Sequence, residues 1–306
     1  MDRFEEMQTF VKVVELGGVS ATADRLEIAK SAVSRRLADL EARLGVQLLH
    51  RTTRKMNLTH SGQQFYQRCL RILADLDETE QYISQEDKQL RGIIRLSAPL
   101  SFGLAHLSPL LNEFLVSHPE LDFALDLNDS QINLMNEGID LGIRIGHLED
   151  SSLMARKLAS CHSVMCASPE YLQRYGEPKH PDELAHHYGL SYSNVTDQVE
   201  WKMKDVHGKQ FVTRPHIRMR ANNGDLLKAA ALEHLGILVS VSFTCYQEIE
   251  SGLLKQVMQD YVFEEFGIYA IYPAQRHLPK RVRTLIDFLA EKFGEAPYWN
   301  TFLGGK

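Results

Sequence analysis

Between Ser20 and Gly45 the chain reads SATADRLEIAKSAVSRRLADLEARLG, and its spacing leaves little room for anything but two helices joined by a tight turn. In the first helix, Ala21, Ala23 and Leu26 supply small and apolar packing positions. In the second, Val33, Leu37, Leu40 and Leu44 recur at steps of four, three and four, the period of one buried helical face. Between them lie Lys30, Ser31, Ser34, Arg35 and Arg36, a polar and cationic face near the N-terminal end. Small residues permit a close helix crossing, and a basic second helix is what a helix-turn-helix presents to the DNA major groove. An ordinary helical hairpin with a solvated charged face would carry the same pattern, so the surroundings must decide.

Charge is segregated along the chain. The net charge of −6 argues against nucleic-acid binding only as an average. From Lys30 to Arg71 there are nine Lys/Arg against two acids, Asp39 and Glu41, whereas from Arg91 onward 21 Lys/Arg face 26 Asp/Glu. Phosphate attraction acts at that local scale. At 306 residues and 44% hydrophobic content, two domains are expected. The start, MDRFEEMQTFVKVVE, is acidic and amphipathic, unlike a secretory h-region, and no run approaches the roughly 18 apolar residues that span a bilayer. The expectation is a cytoplasmic protein with no membrane association, in which the Asn194-Val195-Thr196 sequon has no consequence. Cys69, Cys161, Cys166 and Cys245 form no metal-ligand spacing, so neither a metal nor a cofactor is expected. Cys161 and Cys166, five apart in a strand, fall on opposite faces, so the reading is reduced core thiols, with a redox switch as the alternative.

Residues 4–16 place Phe4, Met7, Phe10, Val11 and Val14 at helical spacing, Gly17-Gly18 ends that helix, and Ser20 reads as the N-cap of the next. After Gly45, HRTTRKMNLT reads as a two-stranded wing with Arg51, Thr53, Arg54 and Lys55 at a cationic tip suited to phosphates or the minor groove. Thr59 caps a long helix reaching about Gln89, along which Phe65, Cys69, Ile72, Leu76, Thr79 and Ile83 form a heptad-spaced seam. That seam favours homodimerisation over packing within the helix's own domain. Beyond Arg91-Gly92, strands such as 93–98, 122–128, 139–146 and 162–168 alternate with helices, among them a short one at 132–138, which predicts a parallel sheet covered by helices. The alternation continues through 169–273, and a helix from about Pro279 to Phe293 closes the domain before a tail containing Tyr298, Trp299 and Phe302.

The opening MQTFVKVVELGGVSATADRLEIAKSAVSRRLADLEARLGVQLLHRTTRKMNLTHSG, above all SAVSRRLADLEARLGVQLLHRTTR, resembles the LysR-type transcriptional regulators, and ASPEYL and GLLKQV extend the likeness over nearly the whole chain. Val19, where a larger residue is common, and His60-Ser61, where an acidic-small pair is usual, are minor departures. The resemblance implies an all-α winged helix-turn-helix at 1–60, a linker and dimerisation helix at 61–90, and an α/β effector-binding domain at 91–306. That domain would have two lobes like periplasmic binding proteins, lobe I about 91–163 and 267–294 and lobe II about 164–266. It also implies a sequence-specific transcriptional regulator, assembled as a homodimer or homotetramer, that answers to a small-molecule effector and contacts RNA polymerase.

Carried over by the resemblance, Lys30, Ser31, Ser34 and Arg35 face the groove, Arg36 is a phosphate contact or a solvated flank, and Arg51, Thr53 and Arg54 belong to the wing. For the effector, ligands of open α/β sheets sit beyond the carboxyl ends of strands. The loops 99–102, with Ser101 and Phe102, 128–130, with Asn128, and 222–225, with Asn222 and Asn223, meet that condition. Arg144 on the third strand and Ser193 near the lobe crossing join them. Each polar residue has a plainer reading as a helix cap or internal pair. Together they suit a small organic acid. An enzyme is not expected, since GxSxG, GxGxxG, P-loop and HExxH patterns are absent from the sequence. A transport-type solute-binding protein would not carry the basic helix pair.

Overall fold

The computed structural model describes residues 2–51, 56–84, 89–129, 138–147, 153–193, 200–274 and 278–303. The chain forms two compact units, one built on Met1–Gly92 and the other on Ile93–Ile132 and Asp140–Lys306.

In the first unit, α1 (Arg3–Glu15) begins at Asp2, whose carboxylate accepts from the Phe4 N–H at 3.0 Å. Helix α2 (Val19–Leu26) starts from Gly18, so Ser20 lies inside the first turn and is not the cap expected from the sequence. Glu27 in the left-handed conformation (φ 54°) turns the chain tightly into α3 (Lys30–Leu44), which ends at Gly45 (φ 68°). Phe10, Val13, Val33, Leu37, Leu40 and Leu48 form the buried centre of this unit. A hairpin of β1 (Leu49–Arg51) and β2 (Met56–Leu58) follows, with Leu49 opposite Leu58. One oxygen of Glu41 accepts from the N–H groups of Leu48 and Leu49, pinning the hairpin's root to α3.

Thr59 caps α4 (His60–Ser84) as expected: its hydroxyl accepts from the Gly62 N–H at 2.9 Å and donates to the Gln47 carbonyl. The seam read along this helix divides in two. Phe65 stacks on Phe10 at 5.5 Å and Cys69 is fully buried, so both belong to the unit's own core rather than to a partner face. Ile72 is 43% exposed and Leu76 partly so, while the side chains of Thr79 and Ile83 lie outside the described residues.

The second unit contains β3 (Gly92–Ala98), α5 (100–117), β4 (Leu121–Leu127), β5 (Leu141–Gly146), β6 (Leu153–Ala167), α6 (Pro169–Tyr175) and β7 (Tyr188–Tyr192). It continues with β8 (Trp201–Asp205), β9 (Gln210–Thr213), β10 (His216–Ala221), α7 (Gly224–Leu232), β11 (Ile237–Val241) and α8 (Ser242–Glu250). Last come β12 (Lys255–Gln256), β13 (Tyr261–Val262), β14 (Glu265–Pro273), α9 (Lys280–Phe293) and a 3₁₀ turn at Tyr298–Leu303. Helix α5 widens through a π turn at Gly103–Leu107. A Cβ on Gly103 would come within 2.7 Å of the Leu127 side chain, so glycine lets this helix close onto the sheet.

The main sheet runs β10-β7-β11-β6-β14-β5-β3-β4, with β12 also on β6. It is mixed, not parallel as expected: β3–β5, β7–β11 and β7–β10 are parallel, whereas β6 and β14 pair antiparallel with their neighbours. The reason is β6, of which the sequence reading recognised only the last part. Its residues up to His162 pair with β14, and those from Ser163 to Cys166 pair with β11, so one strand serves two halves of the sheet. Residues 201–213 leave the expected alternation and form a separate antiparallel sheet, β13-β8-β9, packed through Trp201 and Met203. The short helix read at 132–138 lies, up to Glu137, outside the described residues.

Candidate functional site

On α3, burial of Val33, Leu37 and Leu40 turns Lys30, Ser31, Ser34 and Arg35 outward, and all four are exposed. Arg35 meets Asp39 only at 3.9 Å, one turn on, so its guanidinium is held loosely. No side chain caps the start of α3 at Ala29, which leaves the positive end of the helix open toward an anion.

Arg36 is a different case and corrects the sequence reading. Its guanidinium donates to Glu5 at 2.9 Å and to the Thr9 hydroxyl at 3.2 Å, only 23% of the side chain is exposed, and it ties α3 to α1. Arg43 makes a second tie, donating twice to the buried Glu6 carboxylate at 2.6 and 3.1 Å. Of the wing residues, Arg51 ends β1, its side chain being outside the described residues, as are Thr53, Arg54 and Lys55.

In the second unit the three loops singled out from the sequence converge. The Asn223 amide lies 3.5 Å from the Ser101 hydroxyl while its carbonyl oxygen caps α7 through the Leu226 N–H at 3.0 Å. Asp129 accepts from the Leu100 N–H at 3.2 Å; burial pushes its pKa up, against the lowering pull of the Leu100 and Asn223 hydrogen bonds. Ser193 donates its N–H to the Ala221 carbonyl at 2.8 Å, which sets it beside the exposed Asn222. Asn128 turns its amide to Asp126 at 2.8 Å, and Arg144, partly buried on β5, donates to its neighbouring Ile143 carbonyl.

Phe102 does not face this space. It is fully buried among Phe243, Phe293 and Trp299, with ring centroids 5.2 to 5.9 Å away. It therefore builds the wall behind the site and offers no ligand surface.

The cavity itself holds about 70 Å³ and is lined by Ser101, His106, Asp225, Lys228, Thr244 and Tyr246, among others. Sequence reasoning reached only Ser101 and, at the end of the 222–225 loop, Asp225; it missed the others because they lie inside helices rather than in the loops. Only the Asp225-x-x-Lys228 spacing, one turn into the Ala-rich helix, carried a signal. Lys228 binds the Thr244 carbonyl at 2.9 Å, Glu248 at 3.0 Å and Asp225 at 3.5 Å. Burial works against its charge, but the hydrogen bond and charge of Glu248, then Asp225, prevail and raise its pKa.

His106 has Nε2 3.0 Å from the Phe243 carbonyl and Nδ1 2.6 Å from the Tyr298 hydroxyl. A carbonyl only accepts, so Nε2 carries the proton. Burial lowers the ring's pKa, and the neutral ring then accepts from Tyr298 at Nδ1. Burial also pushes the Tyr298 phenol up to about 12, keeping it a donor. Trp299, fully buried, donates to the Ser160 carbonyl at 3.0 Å, and Asn300 accepts from Ser242, so the C-terminal turn locks α8 against β6.

Burial holds the Cys69 and Cys161 thiols up at about 12; hydrogen bonding to Cys245, then burial, raises Cys166 well above the ordinary range. All four cysteines are free and buried. Among the described residues there is no cluster able to hold a metal and no helix long and apolar enough to cross a membrane.

Comparison with known proteins identifies the two domains in which these residues lie. The family model "Bacterial regulatory helix-turn-helix protein, lysR family" matches residues 4–63, and the "LysR substrate binding domain" matches residues 87–294. An uncharacterised HTH-type transcriptional regulator of Haemophilus influenzae is 37% identical, covering 92% of this chain and 98% of its own. The structure of CrgA, a LysR-type transcriptional regulator from Neisseria meningitidis, is 32% identical over 95% of this chain and 99% of its own, with a TM-score of 0.62. The full-length structure of the Vibrio cholerae virulence activator AphB is 29% identical over 95% of this chain and 99% of its own, with a TM-score of 0.60.

Proposed function

Because the chain belongs to the LysR family of transcriptional regulators, with its helix-turn-helix and substrate-binding domains both present, we propose that it reads an operator through Lys30, Ser31, Ser34 and Arg35 at the start of α3. The observation that carries this reading is the division of labour between neighbours: Arg35 is exposed and loosely held, whereas Arg36 is consumed inside the unit. Arginine and lysine donate to guanine O6 and N7, and serine hydroxyls serve bases or phosphates. The wing residues Arg51, Thr53 and Arg54 reach the flanking backbone. Ile72 and Leu76, left uncovered beyond the unit's own core, support pairing of α4 with a second copy and assembly to a homodimer or homotetramer. Cytoplasmic location and contact with RNA polymerase complete the reading.

A small effector enters between the two halves of the sheet, beside Ser101, Asn222, Asn223 and Ser193. The present space of about 70 Å³ accommodates little more than water, so binding requires the halves to part, and that motion is the signal. An organic acid reaches Lys228 by displacing Asp225, its longest and more exposed partner. Protonated, buried thiols weigh against the redox-sensing alternative, because the thiolate is the reactive form.

Selection of duplexes from a random pool by the full-length protein tests the DNA reading. An imperfect dyad with half-sites one helical turn apart, or a multiple of it, is the expected product. Recovery of unrelated sequences with no enriched half-site would overturn it.

A further inference from the structure

Away from the space around Ser101 and His106, the half of the sheet that carries α9 holds a larger groove of about 590 Å³. It lies between the start of β6, the end of β14 and α9, and shares no lining residue with the smaller cavity. Register explains its walls: Met154 pairs with Tyr272 and Arg156 with Ala270, and α9 brings Arg283, Ile286 and Asp287 to the same opening.

The lining combines two chemistries. Ile286 is almost wholly buried and forms an apolar floor, Leu278 and the Tyr272 ring form sides, and Met154 is 51% exposed at the rim. Arg156 is ion-paired with Asp287, which cancels one charge of each sign. Arg283 is exposed, and no described residue pairs with its guanidinium. Among the described residues, the groove therefore presents one uncompensated cation, Arg283, beside apolar surface. Its volume lies within the roughly 300–1,000 Å³ usual for small-molecule sites, and a guanidinium fork matches a carboxylate bidentately.

We propose that this groove binds a small organic monoanion, with its carboxylate on Arg283 and a flat apolar body against Tyr272, Leu278, Ile286 and Met154. It is a second ligand site, independent of the inter-half cavity and of the DNA reading. Bare phosphate is a poorer occupant, since the floor is apolar.

Calorimetric titration of the full-length protein with benzoate tests the site, with benzamide and inorganic phosphate as neutral and point-charge controls. The expected result is saturable binding of one benzoate per chain and none of benzamide. Binding should weaken at least about tenfold in Arg283→Met and be lost in Met154→Trp, which fills the rim. It should persist in Ser101→Ala and Lys228→Met. Both test positions are exposed, and thermal unfolding of each variant verifies its fold. Absence of saturation by about 10 mM benzoate, equal binding of phosphate, or retention in both Arg283→Met and Met154→Trp would overturn the proposal. Loss in Ser101→Ala would overturn it too, by placing the ligand in the other cavity.

Discussion

Tyr298 donates its hydroxyl proton to Nδ1 of His106 across 2.6 Å, and that bond joins the C-terminal turn to helix α5. The other ring nitrogen reaches the Phe243 carbonyl of α8, so three elements meet at one neutral imidazole. Protonation would turn Nδ1 into a donor, so the tyrosine hydroxyl would have to rotate and accept, reversing the bond. Asp225, Lys228 and Tyr246 stand around the same ring, and the charges of Asp225 and Lys228 act on it in opposite senses.

A pH dependence of stability follows. His106 has its folded-state pKa lowered below 6.5 by burial, so between that value and 6.5 the unfolded chain binds more protons. Its contribution is fully present above about pH 6.5 and is lost as pH falls through the folded value. Thermal unfolding at pH 8 and pH 5.5 should show a smaller difference for His106→Gln than for the wild type. His187, also lowered by burial, supplies the slope that remains.

Trp299 should matter to the second unit out of proportion to its place near the end of the chain. Its indole is fully buried among Phe102, His106 and Phe293 and donates to Ser160. Trp299→Ala should cost about 3–5 kcal/mol in denaturant unfolding, the usual range for a truncated core aromatic.

Gly62 is fixed by space rather than by dihedral angle. A Cβ there would lie 1.9 Å from the Leu48 carbonyl oxygen, the atom that also accepts from the Thr59 N–H at 2.9 Å. Gly62→Ala must push α4 away from the root of the wing, and should lower the unfolding temperature of the first unit and its DNA affinity together. Ser61→Ala, one residue earlier, should leave both unchanged.

Glu6 gives a further check on how the helices are held. Its carboxylate is 5% exposed and takes two donors from Arg43. Arg43→Met leaves that charge buried without its partner and should cost about 2–3 kcal/mol, below the full buried-pair value because Arg43 itself is partly wet. Urea unfolding of Arg43→Met beside the double variant Arg43→Met/Glu6→Leu should show recovery in the double.

The first unit was legible because its information is local. Val33, Leu37 and Leu40 declare their face by spacing alone, and the capping role of Thr59 follows from the residues around it. Arg36 was not legible, since only the packing of α1 reveals Glu5 and Thr9 beside it. Phe102 failed for the same reason: adjacency to Ser101 placed it near the loop, but Trp299, almost two hundred residues away, decides which way it faces. The long run of β6 was hidden because Met154, Arg156 and Lys157 face outward and break the apolar run expected of a strand buried on both faces. Partner exchange between His162 and Ser163 depends on strands that come far later in the chain, at Val241 and Glu265, and has no local signature. Ser101 and Asn223 were found because loops after strands are predictable sites, while Lys228 and His106 project from helices.

The central claim, that the outer face of α3 reads base sequence, is tested most directly by competition binding of a selected operator against a scrambled duplex at fixed salt. The comparison is between wild type, Arg35→Ala and Arg36→Ala. Arg35→Ala should lose about 1–3 kcal/mol for the operator, shrink the operator-to-scrambled ratio, and keep the wild-type unfolding temperature. Arg36→Ala should unfold earlier, with its ratio preserved at temperatures where it remains folded. An unchanged ratio in Arg35→Ala, or a collapsed ratio in a fully folded Arg36→Ala, would contradict the account.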